Sequence, residues 1–149
     1  MADVYALDSN IYIKALRDPR QLAILKRFLV RHGTRVRVNA IVAMELRAGG
    51  RTDQQAAGVE NLVRPYADRE RVIVPTFQAF VQAGRVLSAL AVRERMSAAY
   101  APALTNDALI AASCREADVV LVTENASDFT AIKRYLRGFR FVDSTALSS

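Results

Sequence analysis

The sequence predicts an α/β domain of three layers, a central parallel sheet of about five strands with helices on both faces. Three observations carry this expectation. Short apolar runs alternate with longer amphipathic ones along all 149 residues. The runs are separated by crossover-length segments rather than hairpin turns. Hydrophobic residues make up 52% of the chain, enough for a core that such a sheet can bury. The length suits one domain, expected over residues 1–149.

Val4–Leu7 is the first strand, and Ser9–Arg17 the helix after it, ended by Asp18-Pro19. Gln21–Arg31 follows as a helix with Leu22, Leu25, Phe28 and Leu29 on one face, stopped by Gly33. Arg35–Val38 alternates basic and apolar residues as a strand does. Ile41–Ala48 is helical and closes at Gly49-Gly50. Thr52 and Gln55 have capping-box spacing for a helix to about Arg64, with Pro65 as its stop. Arg71–Val74 is a strand ended by Pro75, and Thr76 caps a long helix to about Met96. The Ser97–Leu104 stretch, "SAAYAPAL", reads as a loop, after which Thr105 caps Asn106–Glu116. Val119–Val122 is a buried strand. Ser127 or Asp128 starts the helix Phe129–Leu136, Gly138 breaks it, and Arg140–Val142 is the last strand.

Several classes are excluded or disfavoured. No apolar run reaches 18 residues, so no membrane span is expected. The start, "MADVYALD", lacks a basic region followed by an apolar stretch, so no secretory signal is expected and a cytoplasmic location is. One cysteine, Cys114, and one histidine, His32, rule out an internal disulfide and a Cys/His zinc site. Cys114 follows Ile110 and Ala111 at helical spacing, as a small core residue would. The net charge is +6, and nearly all the basic residues are arginine, whose forked donors suit phosphate; Lys14, Lys26 and Lys133 are the only lysines. The charge points to a nucleic-acid or acidic protein partner, or to nothing beyond a solvated surface.

The aspartates are the informative residues. Asp8 follows the first strand, Asp107 lies early in a helix and Asp128 opens another, so capping or the helix dipole accounts for each alone. Glu45 has no such account. It lies mid-helix in "NAIVAMELRAG", where Ile41, Val42, Ala48 and Gly49 make its face apolar or small. It is therefore a surface residue near Arg47, or a partly buried one at the edge of a crevice. If the first strand and Val119–Val122 are neighbours, Asp8 and Asp128 emerge side by side at the carboxyl ends, where open α/β sheets bind ligands. Two carboxylates ~4 Å apart repel by roughly 4 kcal/mol at an effective dielectric of about 20. Convergence then needs a cation or a protonated carboxyl. A hard divalent ion with oxygen ligands, Mg²⁺ or Mn²⁺, meets the need, and such ions activate water against phosphate esters.

Taken together, "YALDSNIYI", "VAMELRAG", "NDALIAASC" and "VLVTENASDF" resemble the motifs of PIN-domain ribonucleases, and most of all VapC-type toxins of toxin–antitoxin pairs. The resemblance spans nearly the whole chain. It implies that Asp8, Glu45, Asp107 and Asp128 are the catalytic, Mg²⁺- or Mn²⁺-binding residues of an endoribonuclease. It implies supporting roles for Asn10, Thr123 and Asn125, a cognate antitoxin, and a homodimer. On this reading Asp8, Glu45 and Asp107 form the metal nest, directly or through waters, and Asp128 completes it or positions the attacking water. Arg47 and Arg51 are candidates for holding RNA. Glu124 stands where such proteins often carry a basic or neutral residue, and the Ser97–Leu104 loop matches none of their motifs. The alternative is an RNA- or protein-binding PIN-like module without catalysis. Other acidic-site enzymes fit less well. Asp8-Ser9-Asn10 lacks the Asp-x-Asp of haloacid-dehalogenase-like phosphatases, Pro75 replaces the aspartate of a receiver's third strand, and no glycine-rich phosphate loop occurs.

Overall fold

A computed structural model describes residues 2–96 and 101–149. Five strands form the sheet: β1 (Tyr5–Leu7), β2 (Val36–Asn39), β3 (Val72–Ile73), β4 (Val120–Thr123) and β5 (Phe141–Asp143). Their order is β3-β2-β1-β4-β5, every pairing parallel. The register sets Tyr5 opposite both Val36 and Val120. The helices are α1 (Ser9–Arg17), α2 (Pro19–His32), α3 (Ala40–Gly49), α4 (Asp53–Ala67), α5 (Phe77–Arg93), α6 (Pro102–Glu116) and α7 (Ala126–Lys133).

The chain moves outward from β1 through β2 to β3, then returns to β4 and moves outward the other way to β5. Right-handed crossovers therefore put the helices of the two halves on opposite faces, which makes the three layers the sequence predicts. The reversal falls between β1 and β4, so the switch-point crevice opens beside Asp8 and Thr123. Leu7, Val36, Val38, Leu121 and Val122 of the central strands are buried, as are Ile110 on α6, which packs on the sheet, and Leu90 on α5, which packs on α6. α6 presents an almost continuous buried run from Asp107 to Cys114, so it lies inside the fold rather than on it.

Several boundaries differ from expectation, each for a local reason. α2 begins at Pro19, not Gln21, because Asp18 caps it by accepting from the Arg20 N–H at 2.9 Å and proline suits the first helical position. Pro65 does not stop α4, which runs on to Ala67. So near the carboxyl end a proline removes a single intrahelical bond. Thr52 caps α4 as expected, accepting from Gln55 N, but the Gln55 side chain returns to Arg51 N rather than to Thr52. α5 ends at Arg93, short of Met96.

The largest correction concerns α6. It starts at Pro102, not after Thr105, and its N-cap is Ala101, so Thr105 caps nothing. Of the expected Ser97–Leu104 loop, residues 97–100 lie outside the described residues, and 102–104 are helix. Asp107 consequently sits in the second turn, beyond the reach of the helix-dipole explanation. α7 begins at Ala126, ahead of Ser127, and ends at Lys133 rather than Leu136. Asp128 is thus a first-turn residue and not its cap.

Candidate active site

Asp8 prolongs β1 by one residue, its N–H bonded to the Val122 carbonyl at 2.9 Å, and then opens α1. Its carboxyl is buried and fully engaged. One oxygen accepts from Ser9 N (2.8 Å). The other accepts from the Thr123 hydroxyl (2.6 Å) and the Asn10 amide (3.3 Å). Burial pushes its pKa up, and these three hydrogen bonds oppose the rise. Capping is therefore a real function of Asp8, but it uses only one of two oxygens.

Asn125, at the amino end of α7, makes no cap bond. Its amide instead donates to Asp107 (3.1 Å) and to Asp128 (3.0 Å), tying α6 to α7 through their carboxylates. Its backbone N–H donates to the Thr123 hydroxyl oxygen (3.0 Å). Thr123, wholly buried at the end of β4, thus links Asp8 to Asn125. Asn10, Thr123 and Asn125 form one polar network around three aspartates.

Glu45 comes to the same place from α3. Burial raises its pKa, the Asp8 charge raises it further, and the Asn106 and Ser9 side chains beside it pull it down. Among the described residues, no hydrogen bond of ordinary geometry reaches its buried Oε1. Asp107 shows the convergence most clearly. Burial, then the charges of Asp8, Glu45 and Asp128, push its carboxyl up to about 8, against only the Asn125 hydrogen bond.

These residues fit a hard divalent cation on two observations: an all-oxygen donor set with a buried oxygen at Glu45 that is unpartnered among the described residues, and an Asp107 carboxyl that cannot easily ionise beside three others. The carboxyls nevertheless stand in electrostatic rather than ligating range. No group of three or more His, Cys, Asp or Glu among the described residues is set to hold a metal as it stands. The long-range coupling and the lack of a tight cluster are compatible, because charge interactions reach further than a metal–oxygen bond.

Arg47 and Arg51 are not drawn into this cluster. Arg47 lies two residues from Glu45, on another face of α3, and pairs loosely with exposed Glu60 at 3.6 Å. Arg51 is exposed, and its N–H serves Gln55. Glu124 faces outward and pairs with Lys14 at 2.7 Å, an exposed bridge of small energetic weight. Its N–H donates to the Asn10 side-chain Oδ1 at 3.4 Å.

Sequence reasoning missed Asn39. This wholly buried side chain caps α3, accepting from Ile41 N at 3.0 Å, and donates to Ser113 Oγ on α6 at 2.7 Å. It fixes the Glu45 helix against the Asp107 helix. The signal was there in an asparagine just before an apolar helix, where caps are preferred; its bond to a residue 74 positions away was not. Asn39→Ala is expected to cost about 1–3 kcal/mol through the lost cap and buried hydrogen bond. A urea titration should show a lower midpoint at unchanged slope.

The PIN-domain family profile matches residues 5–135. No match was found among curated protein sequences. Among solved structures, the chain is similar to the DNA-bound VapBC of Salmonella typhimurium, with 22% identity, a TM-score of 0.70, and 95% of this chain and 98% of that one covered. It is similar to VapBC-1 of nontypeable Haemophilus influenzae at 23% identity and TM-score 0.64, covering 95% and 98%. It is also similar to FitAcB from Neisseria gonorrhoeae at 19% identity and TM-score 0.66, covering 93% and 96%. Identities this low speak to the fold.

Proposed function

The chain belongs to the PIN-domain family, and from that premise we propose that it is a Mg²⁺- or Mn²⁺-dependent endoribonuclease, the toxin of a toxin–antitoxin pair, acting in the cytoplasm as one domain over residues 1–149. The observation that carries the reading is the meeting of four carboxyls at the sheet's switch point, with Asp107 pushed up to about 8 by burial and by the other three. Capping explains neither Glu45 nor Asp107, so the fold maintains a costly arrangement that structure alone does not require.

In this proposal Asp8, Glu45 and Asp107 hold the cation, with Asp128 completing the set. When bound, the cation supplies Lewis-acid stabilisation of phosphate charge and a more acidic water. The protein's own groups do the rest. Thr123 from β4 and Asn10 from α1 orient one oxygen of the Asp8 carboxyl, and Ser9 N–H fixes the other. Asn125 holds Asp107 and Asp128 in mutual orientation through one amide. Asp128, half-buried and held by Asn125, completes the nest or positions the attacking water. Arg47 and Arg51 serve the RNA backbone from the exposed rim.

The similarity to chains solved as VapBC and FitAcB supports a cognate antitoxin as the protein partner. Phe77 and Phe80, exposed one turn apart on α5, suit the contact of a homodimer. A non-catalytic RNA- or protein-binding module is the second reading, favoured by the absence of a tight ligating cluster among the described residues.

Cleavage separates the two. The chain, purified free of antitoxin, is expected to cut total RNA with Mg²⁺ or Mn²⁺ and to stop when the metal is chelated. Cutting that persists in excess chelator would refute the metal-dependent mechanism. No cutting under any metal condition would favour the binding module.

A further inference from the structure

The acidic centre lies at the carboxyl ends of the strands. At their amino ends is a different surface, an open cleft of about 720 Å³. It is bounded by the last turn of α2, the Gly33–Thr34 entry to β2, the end of α4 and the residue before β3. Arg31, Arg69 and Arg71 line it, and among the described residues no aspartate or glutamate does. Asn61 and Thr34 add uncharged donors, while Leu62, Pro65 and the half-buried Tyr66 ring give it an apolar wall.

Among the described residues, Arg69 and Arg71 have no carboxylate partner. Arg71 donates one N–H to the Gly33 carbonyl at 3.2 Å, which fixes its position and leaves other donors free. Arg31 donates to an oxygen of Ser149, the last residue of the chain, so its charge is met in part by a carboxylate. Arg69 and Arg71, lining one cleft without a paired carboxylate among the described residues, repel one another, and an anion relieves the repulsion. The α2 wall deepens the field, since residues 17–37 carry seven Lys or Arg against one acid, Asp18, while on the other wall Asp68 and Glu70 alternate with Arg69 and Arg71.

The choice of anion follows from the walls as well as the charges. Guanidinium forks bind phosphate in two-pronged fashion. An aromatic ring and proline beside them offer a flat apolar surface, the pairing by which proteins hold single-stranded nucleic acid without reading its sequence. An acidic peptide would use the forks but has no need of such a wall. We infer that this amino-edge cleft binds the phosphate backbone of single-stranded RNA, holding the substrate at a second point on the far side of the sheet from the acidic centre. The inference rests on the nuclease reading for the identity of the nucleic acid, and it adds a separate anchoring site to it.

The test is fluorescence anisotropy of a labelled single-stranded oligoribonucleotide with the full chain in excess chelator, so that nothing is cut. The Arg69→Gln/Arg71→Gln variant is expected to weaken binding by about tenfold or more. Its salt dependence should flatten by about 0.7 for each phosphate no longer held. A charge-matched control, Arg20→Gln/Arg85→Gln, should weaken it less than about threefold, the scale of a long-range effect alone. Arg69→Gln by itself breaks no side-chain hydrogen bond or ion pair among the described residues and still should reduce affinity, which keeps misfolding out of the interpretation. Equal losses in the two double variants, or no loss in either, would overturn the inference. So would binding of a polyglutamate peptide that depends on Arg69 and Arg71 while RNA binding does not. Failure of the nuclease reading appears in the cleavage assay alone, and failure of the RNA anchor appears in the anisotropy alone.

Discussion

Asp107→Asn is expected to abolish RNA cleavage while making the metal-free protein more stable at pH 8. The two effects have one cause. Asp107 is buried on α6 beside Asp8, Glu45 and Asp128, and its pKa stands at about 8 in the folded chain against 3.8 as the reference. The sign follows from linkage. Below pH ~4 the carboxyl is protonated whether folded or not, and it costs the fold nothing. Between about 4 and 8 the folded chain keeps a proton the unfolded chain has lost, so stability falls as pH rises across that window. Above about 8 the whole cost is present. Asparagine is isosteric, still accepts from Asn125 and carries no charge. Relieving about 1–2 kcal/mol of the cost raises Tm by roughly 3–6 °C in a chain of this size. Thermal scans of both proteins in chelator should diverge toward pH 8 and converge toward pH 4. Cleavage in Mn²⁺ should fall by on the order of 10²–10³-fold, the scale of losing a group that acts on transition-state charge. A variant less stable than the parent at pH 8 would contradict the electrostatic account of the site.

Asp8→Ala should be equally inactive and shift stability the opposite way. Among the described residues, Asp8 accepts three hydrogen bonds where Asp107 accepts one. Alanine uncaps α1, at about 1 kcal/mol. It also strands the buried Thr123 hydroxyl, at about 1–3 kcal/mol. Relief of the desolvated charge returns part of this, leaving a net loss of about 1–3 kcal/mol. Cleavage should fall as far as in Asp107→Asn. The pair thus gives equal loss of function with opposite changes in Tm. A purely structural role for both residues does not predict that divergence. If Asp8→Ala retained cleavage within a factor of a few of the parent, Asp8 would have no place at the metal.

What the sequence could and could not show follows from the range of the interactions. The strand and helix order was legible because it is written in local periodicity, and β1 and β4 do lie side by side. Boundaries shifted where two local signals competed. At α6 the proline at 102 starts the helix and leaves Thr105 inside it. At α7 the Asn125 side chain is taken by two carboxylates and makes no cap bond. Glu45 stood out because no local rule places a glutamate on an apolar helix face. The Asn39–Ser113 bond, the Lys14–Glu124 bridge and the arginine cleft join segments far apart in the chain. Nothing in a single sequence records those distances. The helix-dipole account of Asp107 lapsed only when the true start of α6 was known.

The central claim is that the four carboxyls form a site for a divalent cation. Isothermal titration of Mn²⁺ into the antitoxin-free chain measures it most directly. The account predicts saturable binding by the parent protein that is lost in Asp107→Asn, a variant that remains folded. Absence of binding to the parent, or the same isotherm from both proteins, would contradict it.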